Sequence, residues 1–194
     1  MRRQLIAASV VFLLVGFILG FFVARSSQPS EITRSAEHSS EDLPEDHPSP
    51  EVLEQLSGLM QQVEHNPEDR KSLVELGNSF YDMGRFDAAV QWYERALELD
   101  SSDINVLTDL GTSYLYTGDS EAALKQFSRS LEIDPNHSQT LQNMGVAYFS
   151  SGKYEEAVTV WERLITAHPD YQRAAEIKEQ IETAKLHLEQ VSPR

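Results

Sequence analysis

Residues 73–84, LVELGNSFYDMG, return as LTDLGTSYLYTG at 107–118 and as LQNMGVAYFSSG at 141–152. The apolar-glycine pair falls at 76–77, 110–111 and 144–145, so the period is 34 residues. Each copy begins on a leucine (Leu73, Leu107, Leu141) and carries an aromatic three positions after its first glycine (Phe80, Tyr114, Tyr148). That spacing predicts an amphipathic helix ending at Gly84, Gly118 and Gly152. Beyond each turn a second set keeps step: Ala89, Ala123 and Ala157, then Tyr93, Phe127 and Trp161, then Ala96, Ser130 and Leu164, and finally Ser101, Pro135 and Pro169. A repeat of this length reads as one helix hairpin per unit, which cannot bury its apolar face alone and must stack on its neighbours.

Each residue type has a physical reason at its place. Glycine in the first helix and alanine early in the second have little or no side chain, so the two helices can approach closely. The aromatics are expected to fill the gap between neighbouring units. The turn glycines accept backbone conformations that end a helix, and proline blocks continuation of the second helix.

The pattern resembles the tetratricopeptide-repeat (TPR) family, and the resemblance covers about Arg70 to Tyr171. It implies an all-α chain, an α-solenoid of three TPR hairpins at 70–103, 104–137 and 138–171, curved into a right-handed array. Two positions depart from the family pattern. Ser101 stands where proline is usual, with Asp100 and Ser102 still favouring a turn. Leu164 stands where a small residue is usual, which predicts looser or shifted packing there.

Both flanks read as capping helices. Ser49-Pro50-Glu51 is a helix start, and residues 50–66 place Val52, Leu53, Leu56, Leu59, Met60 and Val63 before an Asn66-Pro67 stop. Residues 172–191 put Ala174, Ile177, Ile181, Ala184 and Leu188 on one face and charge on the other.

Residues 1–25 predict an N-terminal transmembrane helix. From Leu5 to Ala24 the chain runs LIAASVVFLLVGFILGFFVA, uncharged and bracketed by Arg2, Arg3 and Arg25. At ~1.5 Å per residue it spans a hydrocarbon core of ~30 Å. A cleaved signal peptide has the same basic start, but its apolar run is shorter, ~7–15 residues. The positive flank at the N-terminus orients it with that end in the cytoplasm and the repeats extracytoplasmic, on the periplasmic side of a bacterial inner membrane. Gly16 and Gly20 form a GxxxG through which two copies could pack as a homodimer. Residues 26–49, rich in Ser, Pro and acids with Ile32 and Leu43 as the large aliphatics, predict a disordered linker reaching ~25–30 Å.

The chain carries 31 acidic and 16 basic residues, a net charge of −15. After Pro50 the balance is −13, with 12 basic against 25 acidic side chains. Such a surface repels phosphate backbones and anionic lipid, which excludes nucleic acid as a partner and favours basic protein surfaces. There is no cysteine, so disulfides, thiolate metal sites and cysteine nucleophiles are excluded. His38 and His47 have no partner at ligand spacing, and neither metal nor cofactor is expected. No nucleophile elbow, phosphate-binding glycine loop or zinc-protease motif is present, so the chain reads as a binding module and not an enzyme.

In the family, first helices line the groove that holds a peptide or helix of a partner protein. Carried onto this chain, that surface is Lys71, Asn78, Tyr81, Asp82, Asn105, Thr108, Thr112, Tyr116, Gln142, Asn143 and Phe149, a mixture of amides, hydroxyls and aromatics suited to peptide contacts. Members that clamp chaperone C-termini carry Lys and Arg where this chain has Val74, Gln142 and Val146. Of that set only Asn78 is retained, and chaperone-tail binding is not expected. The layout resembles anchored scaffolds of bacterial envelope assembly, including cytochrome c maturation components that present apocytochrome. A cytosol-facing organelle receptor, or a secreted TPR chaperone, would follow from the opposite orientation or from signal cleavage.

Overall fold

A computed structural model describes residues 48–191. The expected transmembrane helix, the expected linker up to residue 47 and the glycine pair at 16 and 20 lie outside the described residues. Among the described residues no helix is long and apolar enough to cross a membrane.

Among the described residues eight helices follow one another: α1 (Pro50–His65), α2 (Arg70–Asp82), α3 (Phe86–Leu99), α4 (Ile104–Tyr116), α5 (Ser120–Ile133), α6 (Ser138–Ser150), α7 (Tyr154–Ala167) and α8 (Ala174–Val191). Their ends are set by local chemistry. The Ser49 side chain accepts the Val52 N–H, and Pro50 occupies the first turn of α1, where a missing N–H costs nothing. Asp103 accepts the N–H groups of Asn105 and Val106 at the start of α4, and Asp119 accepts that of Ala122 at the start of α5. Gly84, Gly118 and Gly152 close α2, α4 and α6 with φ of 69°, 87° and 73°. In that left-handed conformation the next N–H turns back to an orphan carbonyl: Arg85 to Phe80 at 2.8 Å, Asp119 to Tyr114 at 2.9 Å and Lys153 to Tyr148 at 2.9 Å.

Each hairpin is tightened by one close approach. A Cβ added at Gly77 would lie 2.4 Å from the Tyr93 ring, one at Gly111 2.6 Å from Phe127, and one at Gly145 2.1 Å from Trp161. The second-helix aromatics therefore sit on the glycine of their own unit. They also fill the gap to the next unit, as the sequence predicts: Phe127 packs in one cluster with Met144 and Ala147 of the third hairpin, and Trp161 with Ile177, Ile181 and Ala184 of α8. Tyr114, on a first helix, reaches across as well, its hydroxyl donating to Glu94 of the preceding hairpin.

Among the described residues helices pack on their neighbours in the chain, and α4 also touches α6. This nearest-neighbour pattern is that of a stacked solenoid. Leu73, Leu76, Leu107, Leu110 and Leu141 are fully buried along it, each burial stabilising by about 1.5–3 kcal/mol. Leu164 is fully buried as well, in one cluster with Leu141, Trp161, Ile177, Ile181 and Ala184. The expected looseness at Leu164 is absent because α8 supplies the apolar partners that its extra volume needs. At the other departure, Asp100 accepts the N–H and hydroxyl of Ser102 at 3.0 and 2.7 Å, holding the turn without proline.

Adjacent hairpins are also clasped by arginines. Arg129 on α5 donates to the carbonyl of Ser101 at 3.2 Å, and Arg163 on α7 donates to that of Pro135. Arg70 pairs with Asp103 and, at 3.5 Å, with Asp100.

Candidate functional site

The first helices α2, α4 and α6 carry the residues singled out from the sequence, and the structure sorts them into three groups. At the C-terminal ends of α2 and α4, Tyr81 and Tyr116 meet edge to face with centroids 6.1 Å apart. Phe86 completes the cluster, stacked on Tyr116 at 4.4 Å and edge-on to Tyr81 at 5.3 Å. Tyr116 is 61 % exposed, a large aromatic surface held open by its neighbours. Asp82, next to Tyr81 in sequence, is exposed.

A second group forms hydrogen-bonded rungs along the same helices. Asn78 accepts the Tyr93 hydroxyl at 2.8 Å, which fixes its carbonyl and leaves its amide N–H groups to face outward. The Asn143 amide donates to Thr112 at 2.9 Å, joining α6 to α4. Gln142 accepts the Tyr171 hydroxyl, and its backbone carbonyl accepts the Trp161 indole N–H at 3.2 Å. Phe149 stands at the far end of α6 against Tyr154, Trp161 and His187.

The third group departs from expectation. Thr108 is 0 % and Thr112 8 % exposed, so neither presents a side chain to a ligand. Both hydroxyls turn back to the helix, Thr108 donating to the Ile104 carbonyl at 2.7 Å and Thr112 to the Thr108 carbonyl at 2.8 Å. A buried hydroxyl must find such partners, and Thr108 also joins Ser130 and Thr140 between the second and third hairpins. Lys71 and Asn105 are exposed near the starts of α2 and α4, away from the aromatic cluster; Lys71, its side chain 84 % exposed, makes an ion pair with Glu75 at 3.6 Å.

Sequence reasoning missed Asp109. It is half-buried on α4, with the Gln139 amide 3.4 Å away. Burial, then the negative charges of Asp103 and Asp82, push its carboxyl up to about 6. The same surroundings push the Tyr81 phenol up to about 12, through burial first and then Tyr116, Asp109 and Asp82. The repeat register held the signal: Asn143 was chosen in the third unit, and the residue 34 positions earlier is Asp109.

The face thus offers amides for a peptide backbone, an open aromatic cluster for a side chain, and carboxylates that favour positive charge. Among the described residues no group of His, Asp or Glu is arranged to hold a metal ion.

Helix hairpins at a 34-residue period, with a polar and aromatic face along the first helices, define a TPR array. The family model for the cytochrome c-type biogenesis protein H TPR domain matches residues 34–186, more than half of the chain, and the protein belongs to that family. No curated protein matches the sequence. Solved structures share the fold. A crystal structure of MamA aligns with a TM-score of 0.61 at 18 % identity, over 72 % of this chain and 80 % of that one. YrrB, described as a TPR protein with an unusual peptide-binding site, aligns at 0.62 and 24 % identity, over 66 % of each chain. The first TPR of Spaghetti (RPAP3), bound to the HSP90 peptide SRMEEVD, aligns at 0.57 and 20 % identity, over 61 % of this chain and 92 % of that one.

Proposed function

We propose that this chain is a membrane-anchored TPR adaptor that holds a segment of a partner protein on the face of α2, α4 and α6 during envelope assembly, in the manner of an apocytochrome-presenting component of cytochrome c maturation. The observation that carries the reading is the open Tyr81–Tyr116–Phe86 cluster beside the exposed Asn78, a surface with shape and hydrogen-bonding capacity. The family's description favours cytochrome c biogenesis over other envelope processes. The peptide bound to RPAP3 and the peptide-binding site described for YrrB support a peptide ligand for an array of this fold.

Tyr81→Ala combined with Tyr116→Ala is the direct test. Capture of the partner crosslinked in membranes should fall about tenfold or more, with helicity and melting little changed. Equal capture by both forms would sink the proposal.

The anchor and its direction belong to the same proposal. Residues 5–24 span the membrane, Gly16 and Gly20 give it a surface for a second copy, and the array stands outside the cytoplasm. A reporter active only outside the cytoplasm, fused after Ser49, should be active; silence would overturn that direction.

A further inference from the structure

Beyond the repeats, α8 builds a second binding feature. A cleft of about 440 Å³ lies among α6, α7 and α8. Val146 and Phe149 give it an apolar lining above the buried Trp161 ring, while Glu176, Glu179 and Gln180 of α8 supply its polar side. Glu176 is partly neutralised by Arg173 at 2.7 Å. Glu179 has no ion pair among the described residues. The Gln180 side-chain carbonyl oxygen is buried without a hydrogen-bond partner, an acceptor whose desolvation goes uncompensated until a donor arrives.

We propose that this cleft is a binding site for a basic amphipathic segment of a partner protein, one that seats an aliphatic side chain on Val146 and Phe149 and directs a neighbouring Lys or Arg to Glu179 and Gln180. It rests on the reading that the first-helix face takes a peptide, and extends that face past the third repeat. Charge decides among occupants. The chain's own residues 26–47 carry Glu31, Glu37, Glu41, Asp42, Glu45 and Asp46 against Arg34, so this acidic rim repels them. Anionic lipid and a second copy of so acidic an array are repelled in the same way. A cation brings N–H donors and opposite charge together, which meets both the unpaired carboxylate and the unpaired carbonyl. Asp82 and Asp109 on the first-helix face place the same demand further along, so one segment with spaced basic residues fits both.

The test uses the full chain in nonionic detergent, with a fluorescein-labelled Leu/Lys amphipathic peptide and its Leu/Glu counterpart read by anisotropy. The Leu/Lys probe should bind and the Leu/Glu probe should not. Glu179→Lys should weaken the Leu/Lys probe about tenfold, while Glu132→Lys, an exposed change of equal charge on α5, should leave it within about twofold. Equal weakening by both variants would mean diffuse attraction and would overturn the site, as would absence of binding or equal binding of the Leu/Glu probe. Loss of partner capture in the Tyr81/Tyr116 double variant with none in Glu179→Lys would leave the first-helix reading standing and remove this one.

Discussion

The hydroxyl of Thr108 lies 2.7 Å from that of Thr140, on helices of successive hairpins and 32 residues apart. Ser130 stands 2.8 Å from Thr140 and 3.3 Å from Thr108, and the His137 ring nitrogen is 2.7 Å from Thr140. All three hydroxyls are buried, so the junction of the second and third hairpins is held by polar contacts inside an apolar core. Thr108→Val keeps the shape and removes one member. It should destabilise the array by about 1–2 kcal/mol, seen as a lower urea midpoint, with partner capture unchanged. A loss of capture at unchanged stability would return Thr108 to the binding surface.

At Gly111 two effects oppose. Alanine is favoured over glycine within a helix by about 1 kcal/mol, yet the new Cβ would stand 2.6 Å from the Phe127 ring. Overpacking of this kind costs about 1–3 kcal/mol, so Gly111→Ala should lower the melting temperature. Adding Phe127→Leu should recover part of that loss, a non-additivity that a double-mutant cycle measures.

Asp109 gives a pH dependence of defined sign. Its folded-state pKa, about 6, lies above the ordinary 3.8, so folding favours the protonated form. The stabilisation is full below pH ~3.8 and is lost as pH rises through ~6. Asp109→Asn should therefore be more stable than the parent at pH 7.5 by about 1–2 kcal/mol, after discounting for partial exposure. At pH 3.5 the two should melt alike. A constant difference across that range would refute the assignment.

Removing α8 probes the end of the stack. Truncation after Tyr171 withdraws Ile177, Ile181 and Ala184 from the cluster around Trp161 and Leu164. The third hairpin should then exchange its amide hydrogens much faster, while the first, remote from α8, should change little.

The hairpin chemistry was legible because its rules act within a few residues. The turn glycines, the Asp and Ser caps and the 34-residue register each declare themselves locally. Thr108 was misread because its partners are 22 and 32 residues away; a threonine on a first helix looks the same in sequence whether it meets water or another hydroxyl. Its registers at 74 and 142 are Val and Gln, so the repeat gave no warning. Asp109 was readable in principle from the register of Asn143. Glu179 and Gln180 were not, because α8 follows no repeat and only its packing on α7 turns them toward the cleft.

The arginine clasps bear on how such a chain can change length. Arg129 and Arg163 stand 34 residues apart, and so do the carbonyls of Ser101 and Pro135 that they grip. Because each grips backbone, the joint does not depend on which side chain occupies the loop, and serine serves as well as proline. An inserted copy of one unit would bring its own arginine and its own carbonyl, and would find matching counterparts on either side. The array is in this respect modular: a gene could gain or lose a unit by duplication or deletion, changing the reach of the binding face while every joint stays the same.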